Sequence, residues 1–237
     1  TVLVAAVIFF VVPERRSQTK DEPFSHQMRE MGTILTNLNF WRIAPWATLS
    51  QGTYLAVHGL WAGPWLRDVA GYDRSEVAGT LLLLAVAMVL GFVVLGTAAE
   101  RLSRRGISTM AVAAMGMGFF MAVMSLIVWG PESGATLIWM LFGFFGTSGI
   151  LPYAALSQSF PLHLSGRVNT TLNLLVFLAA FAAQWGIGAI IGQWPVTPSG
   201  GYAPVGYQAA FGILLAIQLL TIFWYWFASV LLKNSAQ

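Results

Sequence analysis

Three polar side chains with hydrogen-bonding capacity recur at helical spacing within one apolar stretch of the chain. Gln51, Tyr54 and His58 stand at positions i, i+3 and i+7, which places them on one face of an α-helix. An amide, a phenol and an imidazole can each hydrogen-bond to one another or to a shared ligand. We interpret this face as a ligand-contacting surface. The alternative is a face that only packs against a neighbouring helix.

Further polar side chains lie near the middle of other apolar stretches. Asn169, Asn173 and Gln184 belong to one helical stripe, and Thr147 lies in the preceding apolar stretch. For an isolated Asn, Thr or Ser, we favour the interpretation that the side chain only forms a hydrogen bond to a neighbouring helix. Such interhelical bonds stabilise a membrane bundle by only about 0.6 kcal/mol on average. The candidate binding residues are Gln51, Tyr54, His58, Thr147, Asn173 and Gln184.

The distribution of reactive side chains argues against catalysis. The chain has no cysteine, which removes thiolate nucleophiles and Cys-ligated metals. His26, His58 and His163 are far apart along the chain, and no Asp or Glu lies inside an apolar stretch. A Ser–His–Asp arrangement is therefore missing from these stretches. We predict a protein that is not an enzyme and that has neither a metal nor a cofactor.

The composition indicates which elements must position these residues. The chain of 237 residues is 57% hydrophobic and only 9% charged, whereas soluble domains are about 45–50% apolar and about 25% charged. Such a chain cannot cover a soluble globule with polar side chains, and its net charge of +3 is too small to suggest a nucleic-acid partner. Because a bilayer cannot satisfy an open backbone, the composition predicts an all-α polytopic membrane protein surrounded by lipid.

Six apolar stretches are each long enough to cross a bilayer as a helix. A shorter run, residues 1–12, predicts the end of a preceding transmembrane helix whose start is missing. Residues 13–42 form a polar linker with the pattern of an amphipathic helix, and residues 233–237 form a tail. The six predicted spans, which together make a bundle over residues 43–232, are residues 43–66, 77–99, 107–129, 134–157, 168–191 and 207–232.

Positive charge is unevenly divided between the two sides of the predicted bundle. Ten of the 12 Lys and Arg residues lie in the linker, in the loops after the second and fourth spans, and in the C-terminal tail. By the positive-inside rule, this side is cytoplasmic. We therefore predict a multi-pass protein of a cell membrane, the bacterial inner membrane, with a cytoplasmic C-terminus.

A charged motif connects the second and third spans. It contains a glycine, an acid four residues later, a basic residue and a basic pair, and it resembles the cytoplasmic loop motif of the major facilitator superfamily. Glu100 stands where the family usually has Asp, and Ser103 stands where it usually has a second Gly. The residues that match the motif by position are Gly96, Glu100, Arg101, Arg104 and Arg105.

Other stretches resemble the same family. Residues 40–42 resemble the entry to the seventh family helix, residues 63–71 its outer end, and residues 160–167 the turn between the tenth and eleventh helices. This resemblance implies the C-terminal half of a transporter, with six helices plus the tail of the sixth. It further implies a missing N-terminal half as partner, or a homodimer if the chain acts alone.

The resemblance implies secondary active transport of a small organic solute by alternating access. It also suggests that Glu100 and the neighbouring arginines form a latch that closes the cytoplasmic side, whereas topology alone could also explain the arginines. The competing interpretation is a non-transporting receptor or scaffold on the same fold, because fold does not determine function. Substrate, transport direction and coupling ion cannot be inferred from the residues.

Overall fold

The computed structural model describes residue 9, residues 24–130 and residues 133–234. The predicted preceding helix (1–12) lies outside this range except for Phe9, as do residues 13–23 of the linker and 235–237 of the tail. The described residues form helices without a strand. In chain order, the α-helices are α1 (Phe24–Leu35), α2 (Leu38–Ala56), α3 (Ala62–Asp68), α4 (Arg74–Ser103), α5 (Thr109–Trp129), α6 (Ala135–Gly146), α7 (Leu151–Gln158), α8 (Ser165–Ile191) and α9 (Pro204–Asn234).

Two of the long helical segments contain a change of helix type. A π-helical turn, Val57–Trp61, joins α2 to α3, so that Leu38–Asp68 is one helical rod. A 3₁₀ turn, Thr147–Ile150, joins α6 to α7. Glycines in the predicted fourth span, together with Pro152 at the start of α7, are consistent with this second interruption.

The membrane character that the composition predicts is confirmed. Among the described residues, five helices are long and apolar enough to cross a membrane, judged by length and composition. The first predicted span, residues 43–66, is not among them, because it contains Gln51, Thr53 and His58 and is divided by the π-helical turn. The five candidate spans are Arg74–Ser103, Thr109–Trp129, Ala135–Gln158, Leu162–Ile191 and Pro204–Leu232.

The helix ends follow from local sequence signals. Asp73 caps α4 by accepting from the backbone N–H of Glu76 at 2.8 Å, while the Glu76 carboxylate accepts from the backbone N–H of Asp73 at 2.8 Å. This reciprocal capping box satisfies donors that the first helical turn leaves free. Ser108 caps α5 with a single hydrogen bond, since its hydroxyl oxygen accepts from the backbone N–H of Ala111 at 3.2 Å, and Gly130 ends α5 in the left-handed conformation.

Two helix pairs make the most extensive contacts: α4 with α6, and α2 with α8. The two helices of each pair approach each other closely at a glycine, where there is no side chain between them. A Cβ at Gly91 of α4 would lie 2.5 Å from the carbonyl oxygen of Phe144, and one at Gly52 of α2 would lie 2.9 Å from Cβ of Ala179. These contacts fix α2 against α8 and thereby set the neighbours of Gln51.

The linker helix α1 is attached to the cytoplasmic end predicted for the bundle. Its Ile34 is fully buried, whereas Met28 and Leu35 of the predicted apolar face are exposed. Glu30 forms an ion pair with Arg167 at the start of α8. The docked side of α1 therefore differs from the predicted apolar face. That face comprises Phe24, Met28, Met31, Leu35 and Leu38.

Candidate solute-binding face

Tyr54 lies inside the bundle. Its side chain is only 1% exposed, and its ring centroid lies 5.7 Å from that of Phe142 and 6.1 Å from that of Phe120. A Cβ at Gly146 would fall on the Tyr54 ring, and the hydroxyl donates to the carbonyl of Gly143 across 3.5 Å. The structure thus gives Tyr54 the packing role that is the alternative to solute contact.

Gln51 and His58 flank Tyr54 on the same face and are half-buried. The His58 ring centroid lies 4.6 Å from that of Tyr54. The Oε1 atom of Gln51 is buried beside Gly149 in the 3₁₀ turn and has no hydrogen-bond partner in the described part of the chain. A buried acceptor without a partner is uncommon in folded proteins, and it leaves the Nε2 group as the accessible end of this amide.

Two hydroxyl–amide pairs join α7 to α8. The Tyr153 hydroxyl donates to Oδ1 of Asn173 at 3.2 Å, and the Ser157 hydroxyl donates to Oδ1 of Asn169 at 2.8 Å. Asn173 is exposed and Asn169 is half-buried. Of these four residues, only Asn173 is in the set of candidates predicted from sequence. The matching four-residue spacings, 153 to 157 and 169 to 173, are the signal that could have identified the other three.

The remaining candidates lie in two different places. Gln184 of α8 is half-buried near Gly59, and its backbone carbonyl accepts from the indole N–H of Trp61 at 3.2 Å. Thr147 is buried against Gly91 of α4, and its hydroxyl donates to the carbonyl of Phe144 at 2.7 Å. Gln51, Asn173 and Gln184 therefore belong to the region where the first rod meets α7 and α8, whereas Thr147 lies apart from them.

We call the half-buried or exposed polar residues along this region the amide face. They come from three helical segments that are otherwise apolar, and none of them carries a carboxylate, an ammonium or a guanidinium group. The amide face consists of Gln51, Tyr153, Ser157, Asn169, Asn173 and Gln184.

The loop motif lies at the end of α4. Arg104 donates to the Glu100 carboxylate at 2.6 Å, and both side chains are exposed. An exposed pair four residues apart in one helix contributes about 0–1 kcal/mol. A cavity of about 330 Å³ separates this end of α4, including Gly96, from Ala154 of α7. In this conformation the Glu100 pair lies within one helix and does not connect two helices. Arg101 and Arg105 are exposed beside it.

Asp68 holds the opposite end of the first rod. Its side chain is 2% exposed and accepts from Nε of Arg67 at 2.7 Å. It also accepts from the backbone N–H of Tyr202 at 3.0 Å and from the Tyr207 hydroxyl at 2.8 Å. Burial alone would raise the pKa of Asp68, but together these hydrogen bonds and the charge of Arg67 outweigh burial and lower the pKa.

We expect Asp68→Asn to destabilise the protein by roughly 2–4 kcal/mol at pH 7, because the change removes the charge from a buried network. Since the folded-state pKa is lowered, this stabilisation is present above the ordinary Asp pKa of about 4. It disappears as the pH falls through the folded-state pKa. Thermal unfolding in detergent at pH 7 and pH 3 should show a gap between wild type and variant that is full at pH 7 and smaller at pH 3. Glu100→Gln, in an exposed pair, is the control, and equal unfolding temperatures of Asp68→Asn and wild type at pH 7 would contradict the prediction.

Comparison with known proteins assigns this architecture to a family. The sequence profile described as Major Facilitator Superfamily matches residues 1–184, which is more than half of the chain. A comparison with curated proteins finds no match. The profile match agrees with the helical membrane architecture and with the loop motif at the end of α4. The chain therefore belongs to the Major Facilitator Superfamily and is a multi-pass membrane transporter of that type.

Proposed function

We propose that this chain is one six-helix half of a secondary transporter that moves a small, uncharged organic solute by alternating access. The observation that carries the proposal is the amide face, where Gln51, Asn169 and Asn173 remain accessible in a bundle that is otherwise apolar. Polar groups within membrane-spanning segments usually face water, a ligand or protein. A scaffold would have little use for such a face.

The two interrupted helical segments both contribute to the amide face. The π-helical turn Val57–Trp61 follows Gln51, and the 3₁₀ turn Thr147–Ile150 precedes Tyr153. Departures from α-helical geometry often mark functional sites or hinges, and transporter sites are typically formed by interrupted helices. We assign the bending that alternates access to these two turns.

A second six-helix unit would cover the amide face. Only about a fifth of the candidate spans in α4 and α8 is buried, whereas about half of those in α5 and in the α6–α7 segment is buried. Lipid can cover the apolar part of this exposed surface, but polar groups such as Asn173 require a protein or water partner. The second unit is an N-terminal half or, failing that, a second copy of this chain.

The orientation in this proposal follows from the arginines. Arg101, Arg104 and Arg105 are exposed at one end of α4, and positively charged loops face the cytoplasm. The same rule places the C-terminus of α9 in the cytoplasm, and we take the membrane to be the bacterial inner membrane.

Solute flux into proteoliposomes tests the proposal. We expect the chain together with its second unit to transport a solute, and the separate 237-residue chain to stay at the level of empty liposomes. Flux by the chain in a strictly monomeric form would contradict the two-unit mechanism. A complete protein that binds solutes without moving them would instead support a receptor.

Glu100 is proposed to act when the second unit is present. The cavity beside it, between α4 and α7, can receive a side chain of that unit and close the cytoplasmic side. We expect Glu100→Ala to shift the complete protein toward the inward-open state. The measurement is cysteine labelling from the cytoplasm at Ala154→Cys, in a chain that has no native cysteine. Labelling should become faster, and an unchanged rate would leave the motif with a topology role only. Arg105→Ala, which alters the charge outside the pair, serves as the comparison.

A further inference from the structure

The amide groups of the amide face share one orientation. In both hydroxyl–amide pairs the hydroxyl donates and the amide oxygen accepts: Tyr153 to Asn173, and Ser157 to Asn169. Each amide oxygen therefore has a donor from α7, while the NH₂ group of each asparagine has no partner among the described residues. An amide NH₂ supplies two hydrogen-bond donors and no acceptor.

Gln51 repeats this arrangement by a different route. Its Oε1 atom is buried beside Gly149 and has no hydrogen-bond partner within residues 24–130 and 133–234. The residue as a whole is only half-buried. Because the oxygen occupies the buried position, the Nε2 group is the accessible end of the amide. Three amides thus expose nitrogen and withhold oxygen.

The three amides follow one another along the helices. Asn169 and Asn173 are four residues apart on α8, which corresponds to about 6 Å of rise. Gly149, Tyr153 and Ser157 have the same spacing on the facing segment, so that Gln51, above Gly149, continues the series by one more turn. We call Gln51, Asn173 and Asn169 the amide row.

Among the described residues, the charged side chains on the segments next to the amide row have other partners or lie at the ends of the bundle. Arg42 of α2 lies over the ring of Tyr225. The nearest arginine in sequence, Arg167, forms an ion pair with Glu30 of α1. The acids Asp68 and Glu100 lie at opposite ends of the bundle, one in the Asp68 network and the other at the end of α4. A charged solute would therefore lose its hydration without meeting an opposite charge, which is unfavourable within a membrane.

We infer that the amide row recognises the carbonyl oxygens of an uncharged solute, such as an amide, ester, lactone or ketone. The inference rests on the proposed transport function and adds its substrate class. Carbonyl oxygens accept hydrogen bonds and donate none, so they complement a row of NH₂ groups. A solute whose carbonyl is replaced by an amine would set donor against donor, and a site built for a hydrogen bond discriminates strongly against an analogue that cannot make it.

Matched pairs of uncharged solutes test the inference on the complete protein in detergent. The pairs are lactam and cyclic ether, ketone and alcohol, and aryl ester and secondary arylamine, an amine whose weak basicity keeps it uncharged at pH 7. Calorimetry and unfolding temperature report binding. We expect the carbonyl member of each pair to bind at least tenfold more tightly. Equal binding within pairs, tighter binding of amines, or no binding of any carbonyl solute would overturn the inference.

Two kinds of variant identify the row as the cause. Asn173→Asp replaces the donors with acceptors at an exposed site, and we expect at least a tenfold loss of carbonyl binding with a gain for the amine. Tyr153→Phe keeps the ring but releases the amide oxygen of Asn173, so the preference for ketone over alcohol should shrink. Gln193→Glu, an exposed amide-to-acid change outside the helices, is the matched control and should leave all affinities unchanged. The inference would also be overturned if neither Asn173→Asp nor Tyr153→Phe changed carbonyl binding.

Flux measured with the same solutes separates this inference from the proposed function. Transport of an amine or polyol that is insensitive to Asn173→Asp would overturn the amide row as the recognition element and leave the transporter proposal standing. Carbonyl binding that depends on Asn173 but is accompanied by no flux would support the row and contradict the transport mechanism.

Discussion

Tyr54→Ala is expected to lower the free energy of unfolding by roughly 3–5 kcal/mol, the usual loss of stability when a buried aromatic ring is removed. Tyr54 is almost completely buried and its ring packs among Phe120, Phe142 and the backbone at Gly146. The truncation leaves a cavity between the first rod, α5 and α6, where close packing allows little relaxation. Size-exclusion profiles and thermal unfolding in detergent measure the loss.

Tyr54→Phe is the matched control. It keeps the ring and removes only the hydroxyl, whose hydrogen bond to Gly143 is long at 3.5 Å. We therefore expect a change of less than about 1 kcal/mol in stability and near-normal transport by the complete protein. A large loss of transport in a stable Tyr54→Phe protein would restore the solute-contacting role to this residue.

Gln51→Ala should have the opposite profile, with transport reduced at least tenfold and stability close to that of wild type. The Oε1 atom of Gln51 is buried and no other described residue is its hydrogen-bond partner, so its removal ends an unfavourable desolvation and does not weaken the fold. The accessible amide nitrogen is lost at the same time, and with it one donor to the solute. Initial rates of flux, normalised to the amount of reconstituted protein, measure the effect.

Two further variants define the region responsible. His58→Ala changes the residue seven positions after Gln51, on the same face of the first rod. It should also reduce transport, because the half-buried imidazole lies beside the Tyr54 ring on that face. Gly118→Ala changes an exposed position on α5 where an added Cβ meets nothing within 4 Å, and it should transport normally. Unchanged specific transport together with lower stability in Gln51→Ala would show that Gln51 is a packing residue.

Hydropathy located the long helices because apolar length is a local property. The predicted span 107–129 corresponds to Thr109–Trp129, and 168–191 corresponds to Ser165–Ile191. The prediction 77–99 is shorter than Arg74–Ser103, because the capping box at Asp73 and the polar final turn extend α4 beyond its apolar core. The loop motif likewise indicated the family from residues that lie close together in one short stretch of the sequence, residues 96–105.

The surroundings of the predicted site were not accessible in the same way. Spacing correctly places Gln51, Tyr54 and His58 on one face, but it does not state which helix that face meets. The face meets the α6–α7 segment, and Gly146 allows the Tyr54 ring to pack there. Tyr54 and Thr147 make packing contacts in these surroundings. Solute contact stays a prediction for all six candidates, which are Gln51, Tyr54, His58, Thr147, Asn173 and Gln184.

The Asp68 network was missed for a related reason. Asp68 and Tyr207 are 139 residues apart in sequence. A charged residue just beyond the end of an apolar stretch is ordinarily predicted to be a solvent-exposed loop residue. The adjacent Arg67 supplies one of the three hydrogen bonds that Asp68 accepts. The other two come from Tyr202, just before α9, and from Tyr207 in α9, so they depend on how this part of the chain packs against the first rod. Such pairings depend on tertiary structure and leave no periodic signal in one sequence.

The lengths of α4 and α5 have a consequence for the choice of membrane. The 21 residues of α5 extend about 32 Å, close to the hydrocarbon thickness of about 30 Å, and both ends are fixed, one by the Ser108 cap and the other by Gly130. The 30 residues of α4 extend about 45 Å, so that even at an average tilt of about 20° its ends reach into the headgroup layers. α4 would still span a thicker bilayer, but the ends of α5 would then lie within the hydrocarbon layer. The shortest span therefore sets the hydrophobic match of the whole bundle, and with it the bilayers in which the transporter is free of elastic strain.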